Sequence, residues 1–508
     1  MRGPHNIWRL IRTGATFERT GAMAVALEAL EAPPLLRAAA RILGWPFQWL
    51  GYEGDPSQPP VLRAITALGP AYIKFGQVLS TRPDIVGDDL ARELRVLQDE
   101  LPPFPRDEAM AAFETAIGKP VDEVFSEFSE PIAAASLAQV HKAVLRATGQ
   151  TVAVKVLRPG IERAFMRDVD AFYLAAWLVD TLAPFTRRLK PREVIRHFEG
   201  VVLGELDLRM EASAAAEFAT NTAGEAGFRV PAVIWPATDR RVLTLEWVSG
   251  THMGDIDALR ARGVDLNRLS ERVIQLFLTH ALRDGYFHGD MHQGNLKLGP
   301  DDALVALDFG IMGRIDAYTR RVYAEILMGF LRRDYHRVAE LHFEAGYVPA
   351  DQDTDAFAQA LRSIGEPIFG QDSTQISMAR LLAHLFEVTE RFGMETRTEL
   401  ILLQRTMVVV EGVARSLNPS MNMWEMSRPV VTQYIADNLG PKAFARDFTT
   451  AVQILARIAP RLPQLAEQAI TRASAPPEEL AKKAVPGWAW ALGGAVGGGF
   501  LVALVTLV

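Results

Sequence analysis

The chain has 508 residues, of which 49% are hydrophobic and 23% are charged. This length and composition favour a folded protein with more than one domain and exclude a disordered one. The formal net charge of -7 counts against a nucleic-acid-binding role, because binding to a phosphate backbone needs a basic excess. The chain has no cysteine, which excludes a disulfide framework and a thiolate metal site and suits a reducing compartment.

The first 60 residues are expected to form a helical extension that faces a membrane. Residues 1–19 hold several arginines and no long apolar run, which counts against a cleavable signal peptide. Further on, basic and aromatic side chains of a kind suited to a headgroup interface occur together: Arg37, Arg41, Trp45, Phe47 and Trp49. A helix packed on the body of the protein would look similar, so both interpretations remain open.

Residues 61–125 are predicted to form a second helical extension. Its unusual feature is the run Lys74-Phe75-Gly76-Gln77 on a mainly apolar helix. Glycine costs about 1 kcal/mol of helix propensity, so another group is expected to approach Gly76 closely. From these residues alone, a packing glycine beside a solvated lysine is the simpler interpretation.

A β-rich region is predicted over residues 126–248. Two apolar runs flank Ala147-Thr148-Gly149, which is a hairpin signal, and the second run carries Lys155. A lysine that points inward from a strand must pair, because an isolated buried ammonium is costly. The run Val152-Ala153-Val154-Lys155 fits the strand lysine of a protein-kinase-like fold, so the expected partners of Lys155 are ATP phosphates and a helix carboxylate. Glu211 is preferred for that carboxylate over the neighbouring acids Glu205 and Asp207.

Two segments of this region are predicted to contact the nucleotide through their backbone. The first turn of the sheet has alanine where a phosphate-covering loop usually has glycine; it consists of Ala133, Ala134, Ala135 and Ser136. Alanine keeps the amides but narrows the approach and stiffens the loop. The second segment is the predicted hinge between two lobes, where Glu246, Trp247 and Val248 would bind the adenine edge.

Residues 249–459 are predicted to form a mainly helical lobe that carries the metal site. Asp290 precedes Asn295 by five residues, the spacing found in kinase catalytic loops. An aspartate there can orient an acceptor hydroxyl, while Asn295 and Asp308 offer hard oxygen ligands to Mg²⁺. A zinc site built from Asp290 with His288 and His292 is the disfavoured alternative, because it leaves Lys155 and Asp308 unexplained.

The chain runs from Gly310 into a predicted helix near Ala317, with no room for an activation segment. A protein kinase uses that segment as the platform for its protein substrate. Phosphorylation of a protein is therefore not expected.

The end of the chain is predicted to contain a proline-interrupted linker, 460–486, and a transmembrane helix, 487–508. The latter segment carries no charge and would extend about 33 Å as a helix, enough to cross a bilayer. Lys482 and Lys483 precede it, which predicts that the folded body lies on the cytoplasmic side. The lack of a mitochondrial presequence suits a bacterial inner membrane. An apolar tail docked on the protein or lying in the interface is the alternative.

Small residues recur four apart in the predicted span, as Gly493 with Gly497 and Gly494 with Gly498. This spacing lets a second helix approach closely, so a homodimer is one expected form.

With these motifs in place, the chain resembles the UbiB-type atypical kinase family, bacterial relatives of the mitochondrial proteins required for coenzyme Q synthesis. The resemblance covers about residues 68–430 and the apolar tail. Its most specific element is the Lys74 to Gln77 run, and the alanine loop and the Glu205-Leu206-Asp207 element match as well. Two departures, Gly289 for a common alanine and Gln293 for a common proline, predict a looser loop before Asn295.

The resemblance implies an α+β, two-lobed, protein-kinase-like fold with a helical N-terminal extension over the cleft and a C-terminal transmembrane helix. In the family, the helices bearing the lysine and glutamine cover the cleft and contact the Glu-x-Asp element. If the same arrangement holds in this chain, Lys74, Gly76 and Gln77 would gate the nucleotide cleft, and Lys74 would face Glu205 or Asp207. Glu211 would then pair with Lys155.

The implied activity is binding and slow hydrolysis of ATP with Mg²⁺, stimulated by anionic membrane lipid and supporting ubiquinone biosynthesis. The implied partners are quinone-biosynthesis enzymes or prenylated quinone precursors. Two other functions stay open: a nucleotide-switched scaffold or lipid-extracting accessory protein, and a kinase for a small lipid or prenyl precursor.

Overall fold

The computed structural model describes residues 5–29, 45–80, 86–94, 96–97, 102–182, 190–370, 391–394 and 398–439, with single residues between 34 and 42 and at 388. The chain divides into two units, residues 1–432 and 433–508, and the described part of the second is 433–439. The predicted linker and transmembrane helix lie outside the described residues. Within the described part of the chain, no helix has both the length and the apolarity to cross a membrane.

The N-terminal region is helical. It contains α1 (His5–Thr20), α2 (Ala22–Ala29), a 3-10 segment (Trp45–Leu50), α3 (Pro60–Leu68), α4 (Pro70–Ser80) and α5 (Asp88–Leu94). Proline begins both α3 and α4, where its missing N–H costs no hydrogen bond. The Lys74 to Gln77 run lies on α4, and a Cβ at Gly76 would come within 2.5 Å of the Leu97 side chain, so this glycine does allow close packing.

The β-rich lobe follows α6 (Arg106–Ile117) and the short α7 (Val121–Val124). Its strands are β1 (Phe125–Ala134), β2 (Ala138–Leu145), β3 (Thr151–Leu157) and, later in the chain, β5 (Val242–Glu246), which form one antiparallel sheet in the order β1-β2-β3-β5. The predicted hairpin at residues 147–149 is confirmed. In β3, Val152, Val154 and Val156 are fully buried on one face, so Lys155 lies on the opposite face.

Three helices pack beside this sheet: α8 (Ile161–Leu182), α9 (Pro191–Glu205) and α10 (Leu208–Asn221). Phe75 of α4 lies 5.0 Å from Phe172 of α8 and 5.1 Å from Phe198 of α9, measured between ring centres. Aromatic pairs at these distances stabilise beyond the area they bury. This cluster fixes α4 against the lobe that carries Lys155.

The second lobe contains two small sheets and is otherwise helical. Its elements up to the last strand are β4 (Phe228–Arg229), β6 (Thr251–His252), α11 (Ile256–Ala261), α12 (Leu266–Thr279), a π-helical turn (His280–Asp284), β7 (Tyr286–His288), β8 (Leu296–Leu298), β9 (Leu304–Ala306) and β10 (Met312–Arg314). One sheet has the order β4-β9-β8-β6, and β7 pairs with β10. α12 runs directly into the π-helical turn, which ends at Asp284 just before β7.

The remaining helices are α13 (Ala317–Arg332), α14 (Tyr335–Glu344), α15 (Thr354–Gly370), α16 (Thr398–Leu417) and α17 (Met423–Leu439). Leu403, Val410 and Val413 of α16 belong to the core that also contains α12 and the β7 to β9 strands. Because α16 packs in the same core as these strands, it is able to contact the loop between β7 and β8.

Candidate functional site

Lys155 and Glu211 form a partly buried ion pair where β3 meets α10. Lys155 Nζ lies 2.8 and 3.0 Å from the two carboxylate oxygens of Glu211, which is 8% exposed. Asp207 caps α10 by accepting a hydrogen bond from the Arg209 amide, and this fixes the first turn that carries Glu211. The Asp308 carboxylate lies 3.8 Å from the same ammonium, so Lys155 is flanked by two acids.

The charges of these three groups set one another's protonation states. Burial disfavours the Lys155 ammonium, but Asp308 and Glu211 outweigh it, so the pKa of Lys155 is raised and the residue stays charged. Lys155 lowers the pKa of Asp308, which therefore stays ionised. Burial raises the pKa of Glu211 against the attraction of Lys155. The cluster thus presents a fixed cation beside an ionised carboxylate.

Asp308 is held in an uncommon backbone conformation two residues after β9. Its φ is +56°, in the left-handed region that aspartate tolerates better than most residues. The Gly310 amide donates to its Oδ1 at 3.2 Å, and the next side chain, Phe309, is buried against Phe218 and His288. The Asp308 side chain remains 53% exposed, so the fold directs an accessible carboxylate into the cleft.

The loop after β7 carries Asp290 and Asn295. The Asn295 side-chain nitrogen donates a hydrogen bond to the Asp290 backbone oxygen at 3.0 Å. This contact does not use the side-chain carbonyl oxygen of Asn295. Both ring nitrogens of His288 are engaged, because Nδ1 accepts from the Asp290 amide and Nε2 lies 2.9 Å from Leu307 O. The zinc alternative is therefore wrong for His288. Among the described residues, no group of three or more metal-binding side chains occurs.

The same loop is fastened to α16. Thr406 is fully buried and its hydroxyl lies 2.9 Å from Gly289 O, while Gln293 donates to the Ser416 hydroxyl at 2.7 Å. A Cβ at position 289 would lie 2.8 Å from the Ile311 side chain and 3.0 Å from its carbonyl oxygen. The looser loop expected from Gly289 and Gln293 is a wrong prediction, since glycine permits close packing and glutamine gains a partner.

Ala133 and Ala134 of the predicted alanine loop lie at the end of β1, and Ala135 and Ser136 lie in the turn to β2. The turn is held by a residue that the sequence did not point to. Arg158, just after β3, donates through Nε and Nη2 to Ala135 O at 3.1 and 3.0 Å. Ser136 is 2% exposed, whereas Ala133 and Ala135 are exposed. The conformation of the loop is therefore set by hydrogen bonds from Arg158 as well as by its alanine residues.

The predicted hinge differs in part from expectation. The Glu246 amide donates to Ala232 O at 2.8 Å and the Trp247 amide to Thr151 O at 3.1 Å, so both amides are already used within the protein. The Glu246 side chain is paired with Arg229 at 3.2 Å. The amides of Glu246 and Trp247 are therefore not donors to an adenine edge, and binding through other backbone groups of Glu246, Trp247 and Val248 stays a prediction.

Two lysines from different lobes flank the hinge tryptophan. Lys142 of β2 and Lys297 of β8 lie 5.2 and 5.5 Å from the centre of the Trp247 ring. Lys297 Nζ is 3.5 Å from Val248 O, and burial lowers the pKa of Lys297. These cation–π contacts join the two lobes at the hinge.

Lys74 of α4 reaches the cluster from the helical extension. It pairs with Glu205 at 2.8 Å, with side chains only 14% and 18% exposed. Glu205 contributes to raising the pKa of Lys155, and Lys74 contributes to lowering the pKa of Asp308. The Lys74–Glu205 pair is therefore electrostatically coupled to Lys155 and Asp308. Asp207, the alternative partner, instead binds Arg209 at 2.7 Å.

Gln77 of α4 and the segment after Asp308 complete the surroundings of the cluster. Gln77 donates to Leu97 O at 3.3 Å, a contact within the helical extension. The segment after Asp308 pairs at once with β7 through β10, and α13 begins at Ala317. The activation segment is therefore missing, as the sequence predicts.

A β-sheet lobe with a lysine–glutamate pair, set against a helical lobe that supplies Asp290, Asn295 and Asp308, defines a protein-kinase-like fold. Comparisons with known proteins agree. The ABC1 atypical kinase-like domain matches residues 96–342, and the UbiB helical domain matches residues 361–422.

A protein named as the probable protein kinase UbiB of Marinobacter nauticus is 38% identical over 422 residues, which cover 82% of this chain and 77% of that protein. The chain therefore belongs to the UbiB family of ABC1 atypical kinase-like proteins. A solved structure from Mycobacterium tuberculosis, titled as the Rv3197–erythromycin complex, has a TM-score of 0.51 at 24% identity and covers 70% of this chain and 90% of its own. At that identity it supports the fold alone.

Proposed function

We propose that this protein binds ATP with Mg²⁺ and hydrolyses it slowly, or transfers its phosphate to a small acceptor, at the bacterial inner membrane in support of ubiquinone biosynthesis. The observation that carries the proposal is the cluster of Lys155, Glu211 and Asp308, in which a charged ammonium and an accessible carboxylate share one cleft. Membership of the UbiB family supports the pathway. Anionic lipid and quinone-pathway enzymes or prenylated precursors are the proposed partners.

The residues present fit the implied ligands. Asp308 has an accessible carboxylate with a depressed pKa, and oxygen donors of this kind suit Mg²⁺. Asp308 and the Asn295 carbonyl oxygen would hold the ion, which when bound neutralises charge on the phosphates. Lys155 would bind phosphate oxygens, and Glu211 keeps its ammonium in place.

Asp290 is the proposed positioning group for the acceptor, water or a small hydroxyl. Its backbone is held by His288 and by Asn295, so the carboxylate is presented from a fixed loop. A carboxylate within reach of a hydroxyl can take its proton as the bond to phosphorus forms. The short path from Asp308 to α13 argues against a protein as acceptor.

The test is ATP turnover by the full chain in vesicles that contain anionic lipid. Asp308→Asn should lower turnover by about 100-fold or more, because it removes a charged metal ligand. Asp302→Asn is the matched control, since Asp302 also has a positive φ of 55° and an exposed carboxylate. Equal activity of the two variants would refute the metal assignment. A deletion strain with normal quinone levels would refute the pathway.

A nucleotide-switched scaffold is the second candidate, and the Lys74–Glu205 pair favours it. This pair brings α4 against the nucleotide cluster, which suits a conformational switch better than fast turnover. Full quinone production by an Asp290→Asn strain, together with failure of a Lys155→Met strain, would select the scaffold.

A further inference from the structure

A cavity lies in the helical extension. It has a volume of about 740 Å³ and is lined by α1, the residues after the 3-10 segment, α3, α4 and α8. Three arginines, Arg9, Arg12 and Arg167, face it together with one acid, Asp168. Arg9 and Asp168 are ion-paired, so the wall keeps an excess of positive charge from Arg12 and Arg167.

The cationic group at the centre of this wall is oriented by its neighbours. The Arg12 guanidinium donates to the Tyr52 hydroxyl at 3.0 Å and lies 5.6 Å from the Trp8 ring and 5.5 Å from the Tyr52 ring. Thr16 in turn accepts a hydrogen bond from the Tyr52 amide at 3.0 Å. A guanidinium fixed in this way loses little entropy on binding a phosphate through its fork of donors.

The side chain of Trp8 lines the cavity, and α1 carries two more exposed apolar side chains close to it in sequence. Ile7, Trp8 and Ile11 lie on one face of α1 and are 58%, 48% and 39% exposed. Large apolar side chains exposed beside cationic groups are typical of surfaces that bind the headgroup and upper acyl chain of a lipid. The ligand expected from this chemistry carries a phosphate for the arginines and an apolar part for Trp8 and the exposed apolar face of α1.

The far wall of the cavity belongs to α4. The Tyr72 hydroxyl lies 2.6 Å from the Thr13 hydroxyl of α1, and the ring packs edge-on against Phe172 at 4.8 Å. Residues 72 and 74 of a helix are about 200° apart, so Tyr72 faces the cavity while Lys74 faces Glu205. A ligand that contacts Tyr72 therefore acts on the helix that carries Lys74.

We propose that this cavity binds the phosphate group of an amphiphile and that its occupation shifts α4, weakening the Lys74–Glu205 pair. The proposed effect on α4, which is the regulatory half of the proposal, rests on the proposed function. The proposed phosphate binding, which is the binding half, does not. The two sources of such a phosphate are a membrane phospholipid and a soluble phosphate ester.

The test is calorimetric titration of the full chain in non-ionic detergent with dihexanoyl phosphatidylglycerol. Arg12→Gln/Arg167→Gln should weaken binding by about tenfold or more, and Arg167→Gln alone by less. Arg163→Gln is the matched control, because Arg163 lies one turn earlier on α8, is exposed and does not line the cavity. Tighter binding of the lipid than of glycerol 1-phosphate identifies a phospholipid, and equal binding identifies a soluble ester.

Wild-type binding by the double variant, or equal weakening by Arg163→Gln, would overturn the binding site. The regulatory half predicts that the same probe raises ATP turnover in the wild type and not in the double variant. If the probe binds through Arg12 and Arg167 but leaves a measurable turnover unchanged, the coupling through α4 is wrong. If no turnover occurs under any condition, the proposed function fails while the site stands.

Discussion

Thr406→Val removes the hydroxyl that joins α16 to the loop of Asp290 and leaves the shape of the side chain nearly unchanged. Thr406 is fully buried, and Gly289, whose carbonyl oxygen lies 2.9 Å from its hydroxyl, is buried too. Leaving a buried acceptor without its donor costs about 1–3 kcal/mol. The same hydroxyl lies 2.8 Å from Leu402 O and has only one proton to share, so the lower end, about 1 kcal/mol, is expected.

The free energy of unfolding should fall by that amount in urea titration. If the hydrogen bond also holds the loop in its working position, kcat for ATP should fall about fivefold, because about 1.4 kcal/mol corresponds to a factor of ten. The KM for ATP should not change, since Thr406 lies beneath the loop. Thr406→Ser keeps the hydroxyl and should restore kcat. A stability loss of the predicted size with an unchanged kcat would show that α16 supports the fold and not the loop.

Three further changes test the charge cluster and the core. Glu211→Gln should weaken ATP binding about tenfold in calorimetry, because the Lys155 ammonium loses the charged partner that fixes it. Lys74→Met should speed nucleotide binding several-fold in stopped flow, because the contact with Glu205 is removed from the cleft. His280 is buried and its pKa is lowered to about 3, so it contributes stability above pH 6.5 that is lost as the pH falls towards 3. His280→Phe should therefore reduce the loss of unfolding free energy between pH 7 and pH 5 by about 2 kcal/mol in urea titrations.

Each change has a control or an opposing outcome. Glu217→Gln alters an exposed acid of the same helix as Glu211 and should leave ATP binding unchanged. Lys119→Met alters an exposed lysine away from the cleft and should leave the association rate unchanged. Unaltered acid sensitivity after His280→Phe would mean that other groups control the stability below pH 6.5.

The parts of the site that the sequence predicts are those encoded over a few residues. The strand pattern of Val152 to Val156 predicts that Lys155 pairs with an acid, and the interval from Asp290 to Asn295 fits one short loop. The order of these motifs along the chain then predicts the two-lobed fold. The family resemblance supplied the contact between Lys74 and the Glu205 element, which composition alone did not favour.

The contacts that escaped prediction join residues far apart in sequence. Thr406 is 117 residues from Gly289 and Ser416 is 123 residues from Gln293, and a buried threonine or serine on an apolar helix has no distinctive pattern. The hydrogen bonds that occupy the backbone amides of the predicted hinge were missed for a different reason. The pairing of β3 with β5 continues one residue beyond the strand, so the Trp247 amide is used by Thr151, and only the register reveals this.

The two lysines that contact Trp247 should make the fluorescence of this tryptophan sensitive to the relative position of the two lobes. Lys142 belongs to the sheet lobe and Lys297 to the helical lobe, so any rotation of one lobe against the other must pull an ammonium away from the indole. Indole emission responds to nearby charge, and a variant that retains Trp247 alone among its tryptophans would convert domain closure into a fluorescence change without an attached dye.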